Sequence, residues 1–172
     1  MESKEQRYER LLPQVAALCD GESDLIAKMA NISALLHQEF GFWWTGFYRV
    51  APACGVIRKS SENDGLMDYS EAGRNELVLG PFQGPLACVR IGYGKGVCGT
   101  AWKERRTVVV PNVEQFPGHI ACSSESRSEI VVPVFQGDEV VAVLDIDSRD
   151  LNTFDEVDVC WLERIAALLT TD

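Results

Sequence analysis

The sequence predicts an α+β fold built on an antiparallel sheet. Three observations carry this reading. Apolar side chains recur at helical spacing through the first 40 residues. Residues 128–147 form two apolar-rich runs around Gly137-Asp138, a hairpin signal. The order of elements does not alternate as a wound parallel sheet requires.

The elements follow in chain order. Tyr8, Leu11, Leu12, Val15 and Leu18 mark a first helix that ends near Cys19. The segment CDGES interrupts it, and Ser23 can cap a second helix. In that helix Leu25, Ile26, Met29, Ile32, Leu36 and Phe40 form the apolar stripe. Residues 42–50, FWWTGFYRV, read as a half-buried strand. Residues 59–75 are polar, with Gly and Ser, and read as a long loop; Cys54 precedes it in a turn and is given no role. ELVLGPF (76–82) and LACVRI (86–91) read as strands. GYGKGVCGTAWKERR (92–106) is a glycine-rich turn entering a helix, and TVVVP (107–111) is a short strand. A long irregular stretch, 112–128, leads into the hairpin. The last helix starts near Asp155, capped by Thr153 or Asp155. It buries Val157, Trp161, Ile165 and Leu168 or Leu169, with Cys160 beside that stripe in the core.

Charge and composition exclude several classes of function. The 172 residues hold 26 acids and 16 bases, a net charge of −10. Residues 121–172 carry 12 of the acids and 3 of the bases. No basic footprint for nucleic acid or anionic lipid exists, so neither partner is expected. No apolar run of about 18 residues is present to span a membrane. MESKEQRYERLL lacks the apolar core of a secretory signal, so a cytoplasmic, reducing location is expected. The six cysteines are then candidates for metal binding, nucleophilic attack or redox exchange rather than a disulfide scaffold.

Three constellations could carry chemistry. Gly94-Lys95-Gly96-Val97-Cys98-Gly99 fits G-x-G-x-x-G, but its surroundings are not a βαβ unit. It is read as a turn that packs loop against helix, with Cys98 in the first helical turn, where the dipole lowers a thiol pKa. His119 and Cys122 have an H-x-x-C spacing that could join Cys88 and Cys98 around zinc, yet no C-x-x-C pair supports it. Thiol redox chemistry is the third reading, because Cys88, Cys98 and Cys122 all fall in the loop-rich middle of the chain. Asp145 and Asp147 sharpen it. By strand period they share one face, at the end of an apolar run, where like charges persist only with a cation between them or a retained proton.

At this point a family resemblance is visible. GPFQGPLACVRIGYGKGVCGTA (80–101), FPGHIACSSESRSEIVVPV (116–134) and VLDIDS (143–148) resemble the free methionine-(R)-sulfoxide reductases, which are stand-alone GAF-domain enzymes. ANISALLH and WWTGFY also resemble that family, and the likeness covers nearly all of residues 22–170. It departs at about 51–76, where this chain is longer and more polar, and at Gly92-Tyr93. The resemblance implies one GAF domain over residues 1–172, with a helical part at 1–40 and a variable loop at 51–76. It implies a six-stranded antiparallel sheet flanked by helices. It further implies reduction of free L-methionine-(R)-sulfoxide, with thioredoxin or a related dithiol protein as reductant, no cofactor and no metal, and it admits a homodimer. Cys122 matches the attacking cysteine, Cys88 a resolving cysteine, and Cys98 a third of variable role. Glu129, Asp145 and Asp147 match the acids that hold substrate, and Trp44 an aromatic near its methyl group.

Those assignments suggest a mechanism. The aspartates receive the substrate ammonium, and backbone N–H groups around Gly118 receive its carboxylate. Trp44 or Phe47 walls the methyl. Glu129 or one of the aspartates protonates the departing oxygen, and Cys88 or Cys98 closes a disulfide onto the Cys122 sulfenic acid. The competing reading is a ligand-binding or redox-sensing module without turnover.

Overall fold

A computed structural model describes residues 2–53, 75–120 and 124–171. Four α-helices and six strands occur among them. In order they are α1 (Lys4–Cys19), α2 (Leu25–Phe40), β1 (Trp44–Pro52), β2 (Asn75–Gln83), β3 (Arg90–Ile91), α3 (Gly96–Glu104), β4 (Val108–Val110), β5 (Ser128–Gln136), β6 (Glu139–Ser148) and α4 (Glu156–Leu168). The strands form one sheet in the order β3-β2-β1-β6-β5-β4, and every pair is antiparallel. The α+β class and the six-stranded antiparallel sheet are thus as expected. Residues 54–74, with Cys54 and most of the polar loop, and residues 121–123, with Cys122, lie outside the described residues.

Helix ends follow from side-chain chemistry. Ser3 caps α1 in a capping box with Gln6. Asp24, one residue past the expected Ser23, caps α2 by accepting from the amides of Ile26 and Ala27. A carboxylate at that position also suits the helix dipole better than a hydroxyl. Gly41, at φ 68°, ends α2 in the left-handed conformation. Asp155 caps α4, again in a capping box, with Asp158. Asp158 itself is fully buried, accepting from Tyr8 Oη at 2.9 Å and pairing with Lys4 Nζ at 2.5 Å. Those contacts pin α1 to the start of α4.

Strand alternation divides the core in two. Phe47, Ile130, Val132, Leu144 and Ile146 point to one face, where α1, α2 and α4 cover them. Trp44, Tyr48, Val131 and Val143 point to the other, where α3 lies. α3 follows β3 on one sheet edge and precedes β4 on the opposite edge, so it crosses the face rather than winding a βαβ unit.

Four local expectations are corrected. LACVRI is strand only at Arg90–Ile91. The chain just before it is held by other bonds: Trp44 Nε1 donates to the Pro85 carbonyl at 3.1 Å, Tyr48 Oη to the Cys88 carbonyl at 3.0 Å, and the Leu79 amide to the Val89 carbonyl at 3.0 Å. β1 begins at Trp44, two residues later than expected, and runs to Pro52. Leu18 and Ile26 are exposed, because the apolar stripe of each helix is narrower than its count of apolar residues. Cys160 is exposed as well, since α4 turns Trp161, Leu162 and Ile165 to the sheet and leaves position 160 on the solvent side.

Candidate active site

The face under α3 carries a cleft with about 550 Å³ of empty volume, partly open to solvent. Its floor is the middle of the sheet. On β6, Asp145 and Asp147 both point into it, as period two requires. Register then adds two neighbours. Glu129 on β5 and Trp44 on β1 both stand directly opposite Asp147. Gly46 stands opposite Asp145, and a side chain there would collide with the Trp44 ring at 2.6 Å. The missing Cβ lets the Trp44 indole lie flat against the floor, within 6.0 Å of Tyr48 and 5.4 Å of Phe82. Phe47 belongs to the opposite face of the sheet and takes no part, because its position in β1 is one residue out of phase with Trp44 and Tyr48.

The roof is α3 and the turn before it. Gly94 and Gly96 adopt φ of 71° and 58°, which favour glycine. A Cβ on Gly99 would stand 2.5 Å from the Gly92 carbonyl. The G-x-G-x-x-G segment therefore packs the turn onto the helix, as expected from its non-βαβ surroundings. Lys95 caps α3 with no side-chain hydrogen bond, and Lys95, Gly96, Val97 and Cys98 line the cleft. Gly118, at φ 74°, turns the chain so that His119 and Ile120 reach the rim.

Electrostatics concentrate here. Glu129 and Asp145 are each only 6% exposed. Burial, followed by the neighbouring Asp147 charge, holds both carboxyls well above the usual carboxylate range. Burial pushes Asp147 up to about 6, opposed by the Ser126 hydroxyl that donates to it and by nearby His119. His119 Nε2 lies 3.6 Å from Glu129 Oε2. Asp145 Oδ1 is buried without a hydrogen-bond partner. The site is thus a nest of acids that favours a proton or an incoming cation.

Cys98 corrects an expectation. It does lie in the first turn of α3, but burial, and then Asp145 and Glu129, raise its thiol well above the ordinary value. Two adjacent carboxyls and the loss of water outweigh the partial charge of a helix end. Cys88 is disulfide-bonded, with its partner outside the described residues, whereas Cys19, Cys98 and Cys160 are free. The cysteine–histidine set considered for zinc is not what gathers among the described residues; Cys98 clusters with Glu129 and Asp145 instead.

Of the expected site residues, Glu129, Asp145, Asp147, Trp44 and Cys98 share this one cleft. Cys88 sits beside it, through the Tyr48 hydrogen bond. Cys122 lies outside the described residues. Tyr48, Ser126 and Trp43 also line the cleft and were missed. Tyr48 had a signal: it follows Trp44 by four residues in a strand, so it must share its face. Ser126 and Trp43 had none, since a serine in an irregular stretch and a tryptophan before a strand carry no period.

Comparison with known proteins gives consistent results. Residues 50–171 match the GAF domain family. A free methionine-R-sulfoxide reductase of Saccharomyces cerevisiae is 39% identical, over 97% of this chain and 86% of its own length. One from Escherichia coli is 38% identical, over 99% and 93%. Among solved structures, a free methionine-R-sulfoxide reductase of Neisseria meningitidis in complex with its substrate superimposes with a TM-score of 0.82 at 44% identity, covering 99% of this chain and 90% of that one.

Proposed function

Because the chain belongs to the GAF-domain family of free methionine-R-sulfoxide reductases, which are oxidoreductases, we propose that it reduces free L-methionine-(R)-sulfoxide to L-methionine through its cysteines. The observation that carries this reading is the buried acid nest beside an aromatic wall, with Asp145 Oδ1 unpartnered. A free amino acid brings the ammonium that those acids lack. The uncapped amides at the start of α3 suit its carboxylate better than the loop at Gly118, whose residue 118 does not line the cleft. Trp44 walls the S-methyl group.

Cys122 attacks the sulfoxide sulfur, and the oxygen passes to it as a sulfenic acid while methionine departs. One of the protonated carboxyls, Glu129 or Asp145, hydrogen-bonds that oxygen and supplies the proton it needs. Cys88 then attacks Cys122, a disulfide forms, and the oxygen leaves as water. The place of Cys88 beside the cleft, half-buried and outside the acid nest, and the buried, protonated state of Cys98 favour Cys88 as the resolving residue. An external dithiol, thioredoxin or a relative in a cytoplasmic compartment, returns both thiols. We read residues 1–172 as one unit, since Trp44 and Tyr48 of the site precede the matched GAF segment; the variable segment expected at 51–76 is shorter than that, because Ala51 and Pro52 pair with Glu76 and Asn75 in β1 and β2.

The test is kcat/KM for free and N-acetylated methionine-(R)-sulfoxide, coupled to thioredoxin, its reductase and NADPH. Removing the ammonium leaves a buried carboxylate unpaired, which costs about 2–5 kcal/mol. The expected loss is therefore roughly one and a half to three and a half powers of ten in kcat/KM. Asp145→Asn should narrow that gap. Equal rates for the two substrates, or no turnover of either, would refute the reading.

A further inference from the structure

The cleft also sets a thiol that the proposed reaction does not use, Cys98, against two acids that it does use, Glu129 and Asp145. The Cys98 sulfur, a Glu129 carboxylate oxygen and an Asp145 carboxylate oxygen all lie within 4.8 Å of one another. All three residues are buried. They come from three separate elements, α3, β5 and β6, so the packed core fixes their spacing. Asp145 Oδ1, without a partner, belongs to a residue that lines the cavity, and an unmet buried acceptor there calls for something to fill it.

We propose that Cys98, Glu129 and Asp145 bind a zinc ion, with the fourth position open to the cleft. Thiolate sulfur and carboxylate oxygen are both zinc donors, and three protein ligands leave a tetrahedral ion one open position. Calcium and magnesium need six or more oxygen donors and gain nothing from a thiolate. Ligand atoms around tetrahedral zinc sit about 3–4 Å apart, within the 4.8 Å that bounds all three separations here. The ion displaces the Cys98 proton and any proton held by the two carboxyls; these go to buffer, and no electron moves. Zinc then occupies the place assigned above to the substrate ammonium and acts as a reversible inhibitor; that clause alone rests on the proposed function.

The experiment uses the oxidised protein, in which Cys88 offers no thiol. Equilibrium dialysis against zinc chloride should load one equivalent. Cys98→Ser and Asp145→Asn should each weaken binding at least tenfold. Cobalt(II), used as a spectroscopic probe, should give a thiolate charge-transfer band in wild type and in Cys160→Ser, but none in Cys98→Ser. Zinc affinity unchanged in both cleft variants, or a cobalt band that is lost in Cys160→Ser, would overturn the proposal. Free methionine sulfoxide should raise the apparent zinc Kd about tenfold near saturation. Undiminished zinc binding under excess sulfoxide would overturn the inhibition and count against the pocket reading, while the variants still decide the metal site.

Discussion

Cys98 and Cys88 show how far environment governs identical side chains. Cys98 is sealed against Asp145 and Glu129, so its thiol keeps its proton. Cys88 sits half-buried outside that nest, tethered by its own carbonyl to Tyr48. Cys122→Ser should abolish turnover, because a hydroxyl cannot form the sulfenic intermediate. Cys98→Ser should keep at least a tenth of wild-type kcat with a dithiol reductant, as measured in the coupled assay; loss on the scale of Cys122→Ser would give Cys98 the resolving role.

The acids also make a prediction for stability. Asp147 has its folded pKa raised to about 6, above the ordinary carboxylate value. The folded state thus holds its proton where the unfolded chain has lost it. The associated stability is fully present below about pH 4 and is lost as pH rises through about 6. Asp147→Asn cannot ionise, so it should be more stable than wild type at pH 8, by about 1–3 kcal/mol, and nearly equal at pH 4. Urea unfolding at the two pH values checks this; a variant less stable than wild type at pH 8 would mean that the Ser126 hydrogen bond outweighs the cost of burying the charge.

Among the elements, α3 and its entry turn set the height of the roof above the sheet. Gly94 donates its amide to the Gly99 carbonyl at 2.9 Å, and Gly99 has no room for a Cβ against Gly92. Gly99→Ala should push the turn away from the helix, costing roughly 1–3 kcal/mol as overpacking does. It should also raise KM, because the displaced turn carries Lys95, Gly96, Val97 and Cys98 of the cleft lining; steady-state kinetics with the sulfoxide check this. Gly118→Ala tests the alternative that any glycine in this region matters: it has open space for a methyl but a positive φ of 74°, so its cost is one strained residue, about 1 kcal/mol.

The molecule as a whole depends on a contact between its two ends. Lys4 Nζ reaches Asp155 at 2.8 Å and Asp158 at 2.5 Å, and Tyr8 donates to the same Asp158. The pair is not a surface bridge, because the Asp158 side chain is 1% exposed. Asp158→Ala leaves the Tyr8 hydroxyl buried and Lys4 short of a partner, and removes the cap-box acceptor for the Asp155 amide. A loss of about 2–4 kcal/mol in chemical denaturation is expected. A change below 0.5 kcal/mol would show that apolar packing of Tyr8 and Trp161 alone holds α1 in place.

Sequence alone was enough for whatever depends on neighbours along the chain. Helical spacing located α1, α2 and α4, two residues of turn chemistry placed the β5–β6 hairpin, and strand period put Asp145 and Asp147 on one face. The cysteine-bearing segments were specific enough to indicate the family. Tertiary structure decided everything that rests on contact between distant positions. Cross-strand register set Glu129 and Trp44 opposite Asp147, which no periodicity within one strand can specify. The phase of β1 sent Phe47 to the opposite core from Trp44, and the rotation of α4 left Cys160 in solvent. Burial, a property of the packed whole, turned Cys98 from a helix-end thiol with a lowered pKa into a protonated one held against two acids. Charge, dielectric and register are fixed only when the elements meet, so the chemistry of the cleft emerges at that step.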